Sequence, residues 1–233
     1  MEKKNIAFCI SGSLRSLEYC YKNFIDMVYN PNKEFFNIKL FYYIPDDSNK
    51  SKIELIKDLN PVVVIEKDIT LPKLNILDWG GRPVNCKMDN VSQGGINGYL
   101  QQLYGIEKSY KLMSNYENDN NIKFDIILRI RSDVIFKTPL NINMYEMNKI
   151  YVPKFHYWDG INDRLAFGPS NLMNIYMKMY SNIYDLANKT KLKLTKAEQF
   201  CMINLINNNI PYEMRNEIKF CRIRMNGKVS PDC

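Results

Sequence analysis

Asp125-Ile-Ile-Leu-Arg-Ile-Arg-Ser-Asp133-Val-Ile-Phe136 decides how the rest of the chain is read. It is an Ile-rich apolar run between an Asn/Asp-rich loop and Thr138-Pro139, the pattern of a central strand in an α/β sheet. Side chains alternate along a strand, so Arg129, Arg131 and Asp133 are expected on one face. Open α/β sheets bind ligands at the carboxyl ends of their strands. Two cations and an acid at such an end suit a phosphorylated substrate and its metal ion. The competing reading is a salt-bridged strand end with no function.

Upstream, residues 5–11 read as a strand, Ser11-Gly12-Ser13 as a turn, and Leu14 to about Tyr29 as an amphipathic helix stopped by Asn30-Pro31-Asn32. A second strand over Ile38–Ile44, a short helix over Ser51–Leu59 and a third strand over Pro61–Ile65 complete a βαβαβ pattern, hence a parallel sheet. A long polar segment, about Asp68 to Gly95, has the length of a functional loop. Ile96 to about Tyr116 is predicted helical, with Tyr99, Leu103, Ile106, Tyr110 and Met113 on one face.

Downstream, the pattern predicts a short strand over Lys149–Pro153, a polar and aromatic loop over Lys154–Arg164 and an apolar segment over Leu165–Gly168. A helix capped by Ser170, another over Thr195–Asn207 and a closing strand over Glu217–Met225 follow. The expected fold is a single α/β domain spanning 1–233, with a mostly parallel central sheet flanked by helices. Residues 1–136 would form its nucleotide-binding half and 137–233 its acceptor-side half.

The 233 residues suffice for one substantial core. With 45% hydrophobic and 24% charged residues, the balance is that of a globular protein. A net charge of +7 suits an anionic ligand. The lysines are scattered and no zinc-finger spacing occurs, which argues against a nucleic-acid partner. Met1-Glu-Lys-Lys leads directly into a strand pattern, and no apolar run approaches a bilayer's thickness. Neither a signal peptide nor a transmembrane segment is therefore expected. Six widely spaced cysteines without a CxxC pair read as buried reduced thiols of a cytoplasmic protein.

The first turn, Ser11-Gly12-Ser13-Leu14-Arg15, precedes a helix, where exposed N–H groups favour anions and Arg15 can add a bidentate phosphate contact. It is neither a GxGxxG fingerprint nor a P-loop, and an ordinary tight turn explains it equally well. Asp133 carries the stronger signal. A hard divalent cation takes carboxylate oxygens while keeping positions for phosphate and water. A buried arginine without a partner is costly, so at least one of Arg129 and Arg131 is expected to pair with Asp133 or another acid.

The order of these elements resembles the small GT-A-type nucleotide-sugar glycosyltransferases of polysaccharide-synthesis clusters and large DNA viruses. The likeness is carried by the amino-terminal strand, Ser11–Arg15, Gln101-Gln102, Phe124–Val134 and Asn162–Gly168. It implies a GT-A-like (Rossmann-like) domain, a nucleoside-diphosphate-sugar donor and a glycan or glycoprotein acceptor. The cytoplasm expected from the cysteines would be the host cytoplasm if the chain is viral. In that family a DxD motif binds Mn²⁺ or Mg²⁺ together with the donor diphosphate. Here Arg131-Ser132-Asp133 stands in its place, keeping the last acid and departing from the first.

The resemblance implies that Ser11, Gly12, Arg15, Arg129, Arg131 and Asp133 face the nucleotide, with Asp133 on the metal. It places Phe155–Arg164 toward the sugar and the acceptor. Asp163, then Asp159, is the expected base, and His156, the chain's one histidine, is either a further metal ligand or an ordinary hydrogen-bonded residue. Trp79 and Trp158 are acceptor platforms or loop anchors. Glu198 is a base or, preferably, half of a Thr195–Glu198 capping box. Asp46-Asp47 either touches base or ribose or forms a solvated turn. Two other readings remain open: a non-catalytic nucleotide- or glycan-binding module, and a nucleotidyl- or phosphate-transferring α/β enzyme.

Overall fold

The apolar run Ile6–Ile10 of the amino-terminal strand builds two cores at once. In β1 (Lys4–Ser11), Ala7 and Cys9 enter one buried cluster while Ile6, Phe8 and Ile10 enter the other. The computed structural model describes residues 2–45, 49–67, 69, 71, 74–77, 83–84, 96–183 and 197–230. Among them, seven strands form one sheet. These are β1, β2 (Phe36–Pro45), β3 (Val62–Glu66), β6 (Ile126–Arg131), β8 (Ile150–Pro153), β9 (Leu165–Pro169) and β10 (Tyr212–Arg215), in the order β10-β8-β9-β6-β1-β2-β3. β6, β1, β2 and β3 run parallel to one another, as does β10 to β8. β9 alone runs against both of its neighbours. The architecture is therefore the mostly parallel α/β sheet expected, with strands from both halves of the chain.

The helices cover both faces. α3 (Ile96–Asn120) lays Leu100, Leu103, Ile106 and Met113 onto the face of Ala7 and Cys9. α4 (Ser170–Met177), a further helical turn over 179–183 and α5 (Ala197–Asn207) pack on that same side. Pro169, in extended conformation, precedes α4, so Ser170 is its first residue rather than its cap. On the opposite face α1 (Leu17–Phe24) buries Leu17 and Phe24. The chain then widens into a π-helical segment, Ile25–Tyr29, and continues through α2 (Asn30–Lys33). The predicted stop at Pro31 does not occur. The π turn shifts the hydrogen-bond register, and Pro31 falls in the first turn of α2, where its missing N–H costs nothing. Buried Asn32 fixes this end, donating to the Val28 and Leu140 carbonyls and accepting from the Ile142 N–H.

Two expectations need correction. The strand over 125–136 is broken: β6 ends at Arg131, and β7 (Val134–Phe136) pairs antiparallel with β11 (Phe220–Arg222) in a separate small sheet. Ser132 donates its hydroxyl to the Ser13 carbonyl and Asp133 turns back onto Arg131, so both side chains bind the bend. Cys221 is disulfide-bonded rather than the reduced thiol expected. Unlike free Cys9, Cys20 and Cys201, it lies outside the faces flanking the main sheet, on the small one. Of the predicted 68–95 loop, the described part holds a short antiparallel pair, β4 (Leu74–Leu77) and β5 (Pro83–Val84). No helix among the described residues is long and apolar enough to cross a membrane.

Candidate functional site

Parallel register aligns the strand ends that build the site. Ser11 of β1 lies opposite Tyr43 of β2 on one side and Arg131 of β6 on the other. β1 ends in a turn because Gly12 takes a φ of +131°, which L side chains rarely adopt, and its N–H reaches the Tyr43 carbonyl at 3.2 Å. α3 runs close over this edge. A Cβ on Gly105 would stand 3.4 Å from both the Ser11 Cβ and the Tyr43 ring, ordinary contact that leaves little space. Between turn, strand ends and helix opens a cleft of about 350 Å³.

The cleft has two chemically distinct ends. One is polar and cationic, formed by Ser11–Ser13, Arg15, Arg131 and Asp133. The other is formed by Pro45, Ile69, Leu71 and Tyr104. The Tyr104 and Tyr43 hydroxyls both donate to Glu66, at 2.8 and 2.9 Å, and Lys108 joins them at 3.1 Å. Burial pushes the Glu66 carboxyl up, but these hydrogen bonds outweigh it and hold it below the usual range.

At the cationic end Arg131 grips Asp133 bidentately, Nε to Oδ1 and Nη2 to Oδ2, both at 2.7 Å. Its Nη1 donates to the Gln102 Oε1 at 2.8 Å. The amide of Gln102 in turn donates to Asp163 Oδ2 at 2.8 Å and to the Asp163 carbonyl at 3.2 Å. A continuous chain, Asp133–Arg131–Gln102–Asp163, thus links the strand end to the segment before β9. Burial works to raise the Asp133 pKa. The charge and hydrogen bonds of Arg131, followed by the charges of Arg222 and Arg15, pull it down to about 2.

Of the residues singled out in the sequence, Ser11, Gly12, Arg15, Arg131 and Asp133 line the cleft. Arg129 does not. It lies fully buried behind Arg131, near Tyr176, Asp163 and Cys201, and burial lowers its pKa. None of its three nitrogens has a hydrogen-bond partner among the described residues. Asp163 is buried and tied to the cleft through Gln102. Asp159 is exposed and lies with His156 and Trp158 in a loop where all three have positive φ. The ring of His156 stacks on Trp158 and meets Phe155 edge-on. Phe155 packs on Phe220, which roots this loop beside β11. The Glu198 carbonyl accepts the Ile161 N–H at 3.0 Å. Thr195, Trp79, Asp46 and Asp47 lie outside the described residues.

Arg222 and the pivot role of Gln102 were missed. The arginine spacing of Arg222-Ile223-Arg224 repeats that of Arg129-Ile130-Arg131, the one signal that pointed to a second cationic strand end.

A divalent cation is what the resemblance implies here, and the donor set does not fit one. Both oxygens of Asp133 are engaged by Arg131, and the first acid of a DxD pair is that arginine itself. Among the described residues no three His, Cys, Asp or Glu side chains converge on one point, so His156 and Asp133 complete no such cluster.

The chain matches the family described as Domain of unknown function (DUF7796) over residues 1–229. No curated protein matches it. Among solved structures it resembles mouse xyloside xylosyltransferase 1 in its apo form, at 9% identity over 92% of this chain and 85% of that one, with a TM-score of 0.47. It also resembles the Streptococcus pneumoniae TIGR4 glycosyltransferase GlyE. The apo form gives 12% identity, 91% of this chain, 45% of that one and a TM-score of 0.46. A second GlyE structure gives 12%, 92%, 45% and 0.47. The chain thus spans less than half of the GlyE chains. Likenesses this distant assign no activity.

Proposed function

The chain belongs to the DUF7796 domain family, and from its cleft we propose that it is a glycosyltransferase that moves a sugar from a nucleoside-diphosphate donor to a hydroxyl of a glycan acceptor. One observation carries this reading. A single cleft at the carboxyl ends of three adjacent parallel strands joins a cationic turn to an apolar, tyrosine-walled end. A nucleoside diphosphate has the same two halves. The base would lie between Pro45, Leu71 and Tyr104, with the phosphates against Ser11–Ser13, Arg15 and Arg131.

The sugar would then project toward Gln102 and Asp163. In an inverting transfer the acceptor oxygen attacks the anomeric carbon as the bond from that carbon to the diphosphate oxygen breaks. The acceptor proton passes to Asp163, which Gln102 holds in place. Arg15 and Arg131 offset the charge that builds on the leaving diphosphate. Asp159 is the second choice of base, and the exposed Tyr157 and Trp158 beside it offer faces for an acceptor sugar.

The test is a panel of nucleoside-diphosphate sugars incubated with the protein, with released nucleoside diphosphate followed by chromatography. Release is expected from at least one donor. Asp163→Asn should lower the rate ~10²–10⁴-fold, the usual contribution of a positioned base, with donor affinity kept. Donor binding without release under any condition would favour a non-catalytic binding module. Neither binding nor release from any donor would remove the proposal.

A further inference from the structure

We propose that this cleft binds its diphosphate without a divalent cation, with Arg131 as the resident countercharge and Asp133 as the residue that aims it; the inference rests on the nucleoside-diphosphate reading above. Where two acids line a phosphate site, both site and ligand are negative, and a metal ion must join them. Replacing one acid by arginine reverses that need, because the protein itself then presents the cation.

Arg131 is built for the task. Its guanidinium plane is fixed from two sides, by both oxygens of Asp133 and by Gln102 Oε1, and it stands in the cleft wall. Asp133 is in turn surrounded by positive charge from Arg131, Arg222 and Arg15. A metal ion on Asp133 would have to take oxygens that Arg131 holds, against three neighbouring guanidinium groups. No cluster of three further acid, thiol or imidazole ligands stands among the described residues to compensate. The local balance favours an anion over a cation.

Calorimetric titration of the intact protein with ADP, GDP, CDP and UDP, each in EDTA and in MnCl₂, tests this directly. At least one nucleotide should bind equally well in the two media. Arg131→Ala should weaken that binding about 30-fold or more, the usual effect of truncating a charged, hydrogen-bonded contact. Arg131→Lys, which keeps the charge and loses the fork, should restore part of it. Asp133→Asn separates the two roles of the acid. It should change binding by the same factor in EDTA and in MnCl₂, because only the hold on Arg131 is altered, whereas loss of a metal ligand would weaken binding in MnCl₂ alone. Thermal unfolding of each variant confirms that it is folded.

Binding that tightens about tenfold or more with Mn²⁺, and loses that gain in Asp133→Asn, would overturn the inference and leave the donor reading standing. No nucleotide binding by the wild-type chain in either medium would remove the donor reading itself.

Discussion

Asp133→Asn should destabilise the protein at neutral pH and cease to matter in acid. In the folded state the carboxyl titrates at about 2 against an ordinary value of 3.8. At about 1.36 kcal/mol per pH unit that difference is worth ~2–3 kcal/mol. The side chain is only 9% exposed, so little of this is lost to solvent screening. Because the folded pKa is depressed, the contribution is complete above 3.8 and disappears as pH falls through about 2. The asparagine keeps the shape of the acid and part of its hydrogen bonding to Arg131, so the charge is what the variant removes. Urea unfolding of both proteins across this range measures the gap. At neutral pH it should be ~2–3 kcal/mol, or about 5–10 °C in Tm for a chain of this size. Near pH 2 it should close. A gap of equal size at both ends would show that Asp133 acts through packing and that the arginine cluster does not hold its charge.

Three more outcomes are expected. Gly160→Ala should lower Tm sharply, because its Cβ would stand 2.1 Å from the backbone of Glu198 at the start of α5; an unchanged melting curve would mean that this contact is not tight. Asn32→Ala should cost about 2–4 kcal/mol in chemical denaturation, since two buried carbonyls and one N–H lose their partner, and a loss below about 1 kcal/mol would place the stability of the π-helical region elsewhere. Burial pushes the Cys20 thiol up to about 12 and those of Cys9 and Cys201 higher still. Raised pKa values keep these groups protonated as pH rises through neutrality, so site-resolved iodoacetamide labelling should reach them only after unfolding, and labelling in the native state would contradict their burial.

The sheet was legible because its strands obey a simple rule. Apolar runs such as Asn5–Ile10 and Ile38–Ile44 are buried on both faces, and their spacing leaves room for crossover helices. Pro31 misled because a proline stops a helix only in an undisturbed hydrogen-bond register, and a π turn leaves no mark in the sequence. The break after Arg131 was hidden because Val134–Phe136 continues the apolar pattern while changing sheets. Tyr212–Arg215 was not recognised, since a strand of four half-buried residues with alternating charge looks like a loop. In the site, residue type identified Arg131 and Asp133, but not which acid and which base would meet. Arg129 looks identical in the pattern and ends in the interior, because two residues along a strand separate a cleft wall from a core.

The bend at Ser132–Asp133 is secured late during synthesis. The Ile223 N–H binds the Asp133 carbonyl, and the Ile223 carbonyl accepts the Ser16 hydroxyl, so one late residue clamps the first turn to the end of β6. Arg222 arrives with it. A ribosome adding 5–20 residues per second reaches Ile223 about 5–18 s after Arg131. β8, β9 and β10 are made within that interval, so the first turn is clamped to the end of β6 only after the last strand of the main sheet exists.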